Sequence, residues 1–226
     1  MTILEKTKVV VLISGSGTNL QTLIDQCNDG TLPIEIVSVI SNVPEAYGLL
    51  RAYKAGIPTE IIDNKKFPDR SSYDQELLKS IDKYQPDLLV LAGFMRILSE
   101  KFVNHYLGRM LNVHPSLLPK YRGLNTHQRA LDNKDKVHGV SIHFVTPELD
   151  GGPVIIQSEV PVLATDTAEI LSKRVQEQEH IIYPIAISWF ALNRLKLNKN
   201  HLEYDGKILE QPILLDNPTL ETHSAS

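Results

Sequence analysis

Four short stretches of this 226-residue chain carry side chains that could do chemistry. Asn112-Val113-His114-Pro115-Ser116 sets a carboxamide two residues before an imidazole. Side chains two apart in a strand share a face, so Asn112 and His114 project together while Val113 points the other way. A carboxamide donor beside a group that moves protons near neutral pH suits acyl transfer, whose tetrahedral intermediate needs donors for its oxyanion. Glu148-Leu149-Asp150-Gly151-Gly152-Pro153 offers a carboxylate on a tightly folded loop. If the strands around 110–114 and 140–146 are close in one sheet, Asp150 meets His114 and favours the imidazolium. Ser14-Gly15-Ser16-Gly17-Thr18-Asn19 lies between an apolar run and a helical pattern, where free backbone N–H groups and the helix dipole would face an anion. Gln176 and Glu179, three apart on a later helix, share a face and could grip a diol such as a ribose. Each stretch also has a plainer reading by itself: a connecting turn, a histidine satisfied by backbone, a reverse turn, a solvated polar face.

Other chemistries find little support. Leu20 stands where a dinucleotide fingerprint needs its third glycine, and no Lys follows the turn as a P-loop requires. Ser14, Ser16 and Ser116 sit in no Gly-x-Ser-x-Gly elbow. His105, His127, His138, His143 and His180 show no His-Glu-x-x-His pattern and read as structural or exposed, so no metal is expected. Cys27 is the single cysteine, which excludes an internal disulfide and a multi-thiolate zinc site. With 23 Lys and Arg against 27 Asp and Glu, the net charge is −4 and offers no general attraction to nucleic acid or to an anionic membrane. An anionic ligand must then be held locally. No run has membrane-spanning length or signal-peptide form, and the expectation is a cytoplasmic protein with small-molecule partners, no nucleic acid and no membrane.

The elements that must position these residues alternate between apolar runs and helical periods, the pattern of a parallel sheet covered on both faces. Runs 9–13, 36–40 and 88–92 are apolar on both faces and read as buried strands, with a weaker strand at 59–62. Helices are expected at 18–28, at 44–55 behind Pro44, at 73–84 with a Ser72/Gln75 capping box, and at 99–107 closed by Gly108. A strand at 110–114 ends at Pro115, and 139–146 and 154–160 read as antiparallel strands. A long helix opens at an Asp166/Glu169 capping box, runs towards Leu197 and is kinked by Pro184. Asp205-Gly206 signals a hairpin, and residues from Asn217 on read as a frayed tail. Without repeats or linkers, one domain over 1–226 is expected, with its core at about 8–197.

In chain order, these stretches and Leu91-Ala92-Gly93-Phe94-Met95-Arg96-Ile97-Leu98 closely resemble the phosphoribosylglycinamide formyltransferase family over nearly the whole chain, from about Lys8 to about Leu197. Asn-x-His-Pro-Ser and Leu-Asp-Gly-Gly mark the wider folate-dependent formyltransferases, and the blocks at 10–21 and 174–180 single out the narrower family. The resemblance implies a Rossmann-like, mostly parallel sheet with helices on both faces and an antiparallel C-terminal portion. It implies transfer of a formyl group from the cosubstrate 10-formyltetrahydrofolate to the primary amine of glycinamide ribonucleotide, without a metal, by a monomer or homodimer. It makes Asn112, His114 and Asp150 the catalytic trio. Gly17, Thr18 and Asn19, with Gly93 nearby, would hold the phosphate, and Gln176, Glu177, Gln178 and Glu179 the ribose and glycinamide end. Arg70, Met95, Arg96, Ile97, Leu98 and Asn112, with the loop Thr146, Pro147, Glu148, Leu149 and Asp150, would bind the folate. The chain departs from the family at Tyr121-Arg122-Gly123-Leu124-Asn125-Thr126-His127, where Asn125 replaces a histidine and Arg122-Gly123 resembles methionyl-tRNA formyltransferases. Those relatives would want a C-terminal RNA-binding domain and a basic surface. The nearest alternative, a formyltetrahydrofolate deformylase in which water replaces the amine, would want an N-terminal regulatory domain, for which a first strand at Val9 leaves no room.

Overall fold

The five residues from Val9 to Ile13 are fully buried, as central strands between two helical layers must be. The computed structural model describes residues 6–198 and 201–215. Its first half runs β1 (Thr7–Ile13), α1 (Thr18–Asn28), β2 (Ile34–Ser41), α2 (Tyr47–Lys54), β3 (Thr59–Ile61), α3 (Arg70–Asp82), β4 (Leu88–Leu91), α4 (Glu100–His105) and β5 (Met110–His114). Then come α5 (Thr126–Asp132), β6 (Val137–Phe144), β7 (Val154–Pro161), α6 (Ala168–Ala191), β8 (Leu195–Asn198), β9 (His201–Tyr204), β10 (Lys207–Ile208) and β11 (Ile213–Leu215).

Eight strands form one sheet in the order β11-β7-β6-β5-β4-β1-β2-β3. β1 to β5 are parallel, β6 is antiparallel to both β5 and β7, and β11 joins β7 in parallel. β8, β9 and β10 make a separate antiparallel sheet. Chain order reverses between β1 and β4, which opens a crevice at the carboxyl ends of those strands, the usual ligand position in such sheets. Alternate residues of β1 serve opposite cores: Val9 and Val11 pack in the layer that includes α1 and α6, Val10 and Leu12 in the layer that includes α3 and α4. The mostly parallel sheet with both faces covered is thus the expected one. Among the described residues no helix is long and apolar enough to cross a membrane.

Several boundaries differ from expectation for local reasons. The helix expected at 44–55 starts at Tyr47, because the chain through Pro44 and Glu45 is a turn and Ala46 is extended. The helix expected at 73–84 starts at Arg70, because Asp69 rather than Ser72 is the cap and its carboxylate accepts the Ser72 N–H at 2.8 Å. Thr167 caps α6, while Asp166 makes a two-pronged ion pair with Arg174 at 2.7 and 2.9 Å. That helix stops at Ala191, since 195–198 is used as strand β8. Asp205 and Gly206 both have positive φ, as a tight two-residue hairpin requires. The tail from Asn217 on lies outside the described residues.

α6 is fastened to the sheet at its functional end. The Tyr183 hydroxyl, fully buried, lies 3.0 Å from both the Leu91 carbonyl, at the end of β4, and the Leu111 carbonyl, inside β5. Tyr183→Phe removes that donor and leaves buried carbonyls short of a partner, so urea denaturation should show a loss of about 1–2 kcal/mol. An unchanged denaturation midpoint would mean that the hydroxyl contributes no net stability.

Candidate active site

The antiparallel register sets Asn112 of β5 opposite His143 of β6. His143 is almost wholly buried and donates Nδ1–H to the Phe144 carbonyl at 2.9 Å. Its Nε2 must then carry a lone pair, and that atom receives the Asn112 Nδ2–H at 3.1 Å. Burial pushes His143 down to about 4, in keeping with a neutral ring that accepts at Nε2. The Asn112 amide is therefore turned with its NH2 group towards His143, and its second N–H remains for the cavity that Asn112 lines.

His114, two residues on and also buried, donates Nε2–H to the Tyr121 carbonyl at 2.9 Å. Its Nδ1 lies 3.5 Å from Asp150 Oδ2, and Asp150 Oδ1 lies 3.8 Å from His143 Nε2. Asp150 also accepts the Gly123 N–H at 2.8 Å, and Arg122 pairs with Glu148. Asn112, His114 and Asp150 are thus brought together as the sequence suggested. The segment 121–123 is fastened across them. His143, read as merely structural in the sequence, is a fourth member; its partnership depends on strand register, which no local pattern displays.

A first cavity lies over the start of α1. Gly17 is its N-cap at φ 69, with no side chain to cap the helix, so the first backbone N–H groups are left to face the cavity. Gln176 Nε2 donates to Thr18 Oγ1 at 3.0 Å, and Asn19 Nδ2 donates to Glu179 Oε2 at 2.7 Å. Asn19 Oδ1 is buried without a partner. The Asn19 donor expected to meet a phosphate is therefore spent on Glu179, and the unpaired atom is an acceptor. Burial raises the Glu179 pKa, opposed by the Asn19 bond. Gly93 also lines this cavity. Glu177 is exposed and Gln178 accepts the Ser158 hydroxyl at 2.9 Å, so of the four helix residues only Gln176 and Glu179 reach it.

A second cavity has apolar walls that include Leu91, Phe94, Leu98 and Val145, with Asn112, His143 and Asp150 at one side. Arg96, Ile97 and Thr146 to Asp150 line it as expected. Met95 does not: it borders the first cavity, and its N–H donates to Ser14 Oγ at 2.7 Å. Arg70 is exposed on α3 and lines neither cavity. The Arg96 guanidinium lies 4.5 Å over the Tyr73 ring, and its Nε is buried without a partner, a donor left for an acceptor-bearing ligand. Among the described residues no group of His, Cys, Asp and Glu is arranged to hold a metal ion.

A doubly wound sheet, an anion-facing helix start and an apolar cavity, with an amide, imidazoles and a carboxylate beside them, are the parts an α/β transferase needs to hold two small substrates side by side. The chain belongs to the formyl transferase family, whose model matches residues 7–187, and within it to the phosphoribosylglycinamide formyltransferases. It is 56% identical over 201 residues to the phosphoribosylglycinamide formyltransferase of Escherichia coli (strain K12), covering 89% of this chain and 95% of that one. The Haemophilus influenzae enzyme of the same name is 48% identical over 202 residues, 89% of this chain and 95% of its own. The solved structure of phosphoribosylglycinamide formyltransferase from Coxiella burnetii superposes with a TM-score of 0.89 at 52% identity, covering 94% of this chain and all of that one.

The buried histidines make stability depend on pH. Burial holds His138, like His143, down to about 4, and lowers His127 and His180. Between those values and the unfolded value of about 6.5, the unfolded chain binds more protons than the folded one, so this stability is full above that value and lost as pH falls towards 4. Glu179, shifted upwards, acts in the opposite sense. Urea unfolding from about pH 7.5 down to about pH 4.5 should show a slope of more than one proton, reduced in His143→Gln. A flat profile would show that these rings take up protons without loss of the fold.

Proposed function

We infer that the chain transfers the formyl group of 10-formyltetrahydrofolate to the primary amine of glycinamide ribonucleotide, giving formylglycinamide ribonucleotide and tetrahydrofolate in purine biosynthesis. One observation carries this reading: Asn112 lines the apolar cavity while Val113, the next residue, lines the anion-facing one. The end of β5 separates two cavities, and ligands in each would meet there. The identity with enzymes named for this activity supports the same reading over a deformylase.

In this reading the phosphate sits on the backbone N–H groups at Gly17, Thr18 and Asn19, with Gly93 opposite, and Gln176 and Glu179 hold the ribose and glycinamide. Glu177 and Gln178 are left out, being turned elsewhere. The folate ring system fills the apolar cavity along Arg96 to Leu98 and Thr146 to Asp150, and supplies a formyl group on N10. Met95 belongs to the partition between the sites, and Arg70 meets only a part of the folate that reaches out of the cavity. The amine nitrogen bonds to the formyl carbon, the bond from that carbon to N10 breaks, and a proton passes from the amine to N10. Asn112 gives its free N–H to the developing oxyanion, its amide held by His143. His114 presents its second donor once the Tyr121 carbonyl releases Nε2, and Asp150 pairs with the imidazolium through Nδ1. The protein acts as a single domain in the cytoplasm, as a monomer or homodimer, and with a net charge of −4 it needs no nucleic acid.

Tetrahydrofolate release from 10-formyltetrahydrofolate, followed spectrophotometrically, should require glycinamide ribonucleotide. Release without the amine would replace this reading by the deformylase, and no release under either condition would end it. Asn112→Ala should lower kcat by about 10²–10³-fold, as loss of an oxyanion donor does. Wild-type turnover in that variant would remove Asn112 from the role.

A further inference from the structure

We infer that Arg51, on α2, supplies the positive charge of the phosphate subsite and acts on it through the turn at 15–17, as a positioning residue. The inference rests on the formyl-transfer reading above, since that reading places a phosphate at the turn. A phosphate monoester carries roughly 1.5 to 2 negative charges near neutral pH. The cavity that would receive it is lined by backbone N–H groups, hydroxyls and amides. Among the described residues lining it, the one ionisable side chain is an acid, Glu179. Helix-start N–H groups carry partial charge only, and a buried acid nearby works against them.

Arg51 is the cation placed behind this turn. Its Nε donates to the Ser16 carbonyl at 2.8 Å, its Nη1 to Gln21 Oε1 at 3.1 Å, and its guanidinium carbon lies 4.9 Å above the centre of the Tyr47 ring. A carbonyl, a carboxamide and an aromatic face orient the fork without neutralising it. The approach of α2 is built for the purpose. Gly48 N–H donates to the Gly15 carbonyl at 3.0 Å. A Cβ on Gly48 would stand 3.3 Å from Gly17 Cα and 2.5 Å from Ile13 Cδ1, so a larger residue would have to displace the Ile13 side chain and ease the helix off the turn. Arg51 thus joins the turn, through Ser16, to α1, through Gln21, with its charge directed at the segment that offers the N–H groups.

Arg51→Gln removes the charge and keeps a polar side chain, whereas Arg51→Lys keeps the charge and loses the fork. The comparison therefore separates electrostatics from a structural staple. Arg51→Gln should raise KM for glycinamide ribonucleotide, and the calorimetric Kd for ribose 5-phosphate, about tenfold, with kcat and KM for 10-formyltetrahydrofolate within about twofold. Arg51→Lys should stay within about threefold of the parent, and added salt should weaken ribose 5-phosphate binding more in the parent than in Arg51→Gln. Three outcomes would overturn the inference: unchanged phosphate affinity in Arg51→Gln, equal impairment in the two variants, or a proportional loss in kcat and both KM values. Failure of the formyl-transfer reading shows separately, as absence of amine-dependent release by the parent, and the ribose 5-phosphate titrations still decide the role of Arg51.

Discussion

A carboxamide on β5 and an imidazole on β6, held 3.1 Å apart by antiparallel register, settle which way the site's amide faces. An amide alone in a cavity can face either way, since its two ends are similar in size and opposite in polarity. Here the Phe144 carbonyl takes the proton of His143 Nδ1, Nε2 is left as an acceptor, and the Asn112 NH2 has a single sensible direction. Burial depresses the pKa of His143 and so favours the neutral ring that this chain of donors requires. A slip of one residue would turn Asn112 to the other face of the sheet and exchange its cavity for the one that Val113 borders.

Sheet topology then explains why two cavities meet at one strand end. The chain leaves β1 and β4 towards opposite faces of the sheet, so the turn after β1 and the loop after β4 line a shared crevice, with β5 beside it. Ser14 fastens the two loops together, accepting the Met95 N–H at 2.7 Å and donating to Asn42 Oδ1 at 2.5 Å. Met95 consequently faces the anion side and Arg96 the apolar side. A single tethered loop forms part of the partition. Tyr183 ties α6 to the same two strands, its hydroxyl reaching the carbonyl that ends β4 and the Leu111 carbonyl of β5.

Much of this was legible in the sequence because it is local. Both faces of 9–13 and 88–91 are apolar, which announces buried parallel strands, and Asn112 and His114 share a face because side chains alternate. Gln176 and Glu179 face one cavity for the equally local reason that they are three apart on a helix, which also turns Glu177 to solvent. What was not legible depends on pairing between distant segments. His143 acquires its role from register, Arg51 from the packing of α2 on a glycine, and Met95 from a bond to a serine 81 residues earlier. The cap at Asp69 was missed for a smaller reason, because Ser72 competes for it and gives its hydroxyl back to the Asp69 carbonyl at 3.0 Å.

The departures at 122 and 125 acquire a physical account from the backbone. Tyr121, Gly123 and Asn125 all have positive φ, at 56°, 79° and 58°. Asparagine tolerates that conformation better than most side chains, and Asn125 stands there as the N-cap of α5 without using its side chain for the cap. Tyr121 tolerates it poorly, and a residue held in a sparsely populated conformation persists only when its surroundings over-determine it. Those surroundings are four bonds: the Tyr121 carbonyl on His114, its hydroxyl on Asp135 at 2.7 Å, the Gly123 N–H on Asp150, and Arg122 on Glu148. The segment thus occupies a donor of His114 and an acceptor of Asp150, the same groups that formyl transfer would use. Arg122 belongs to this fastening, its charge paired with Glu148, a carboxylate of the loop that lines the apolar cavity.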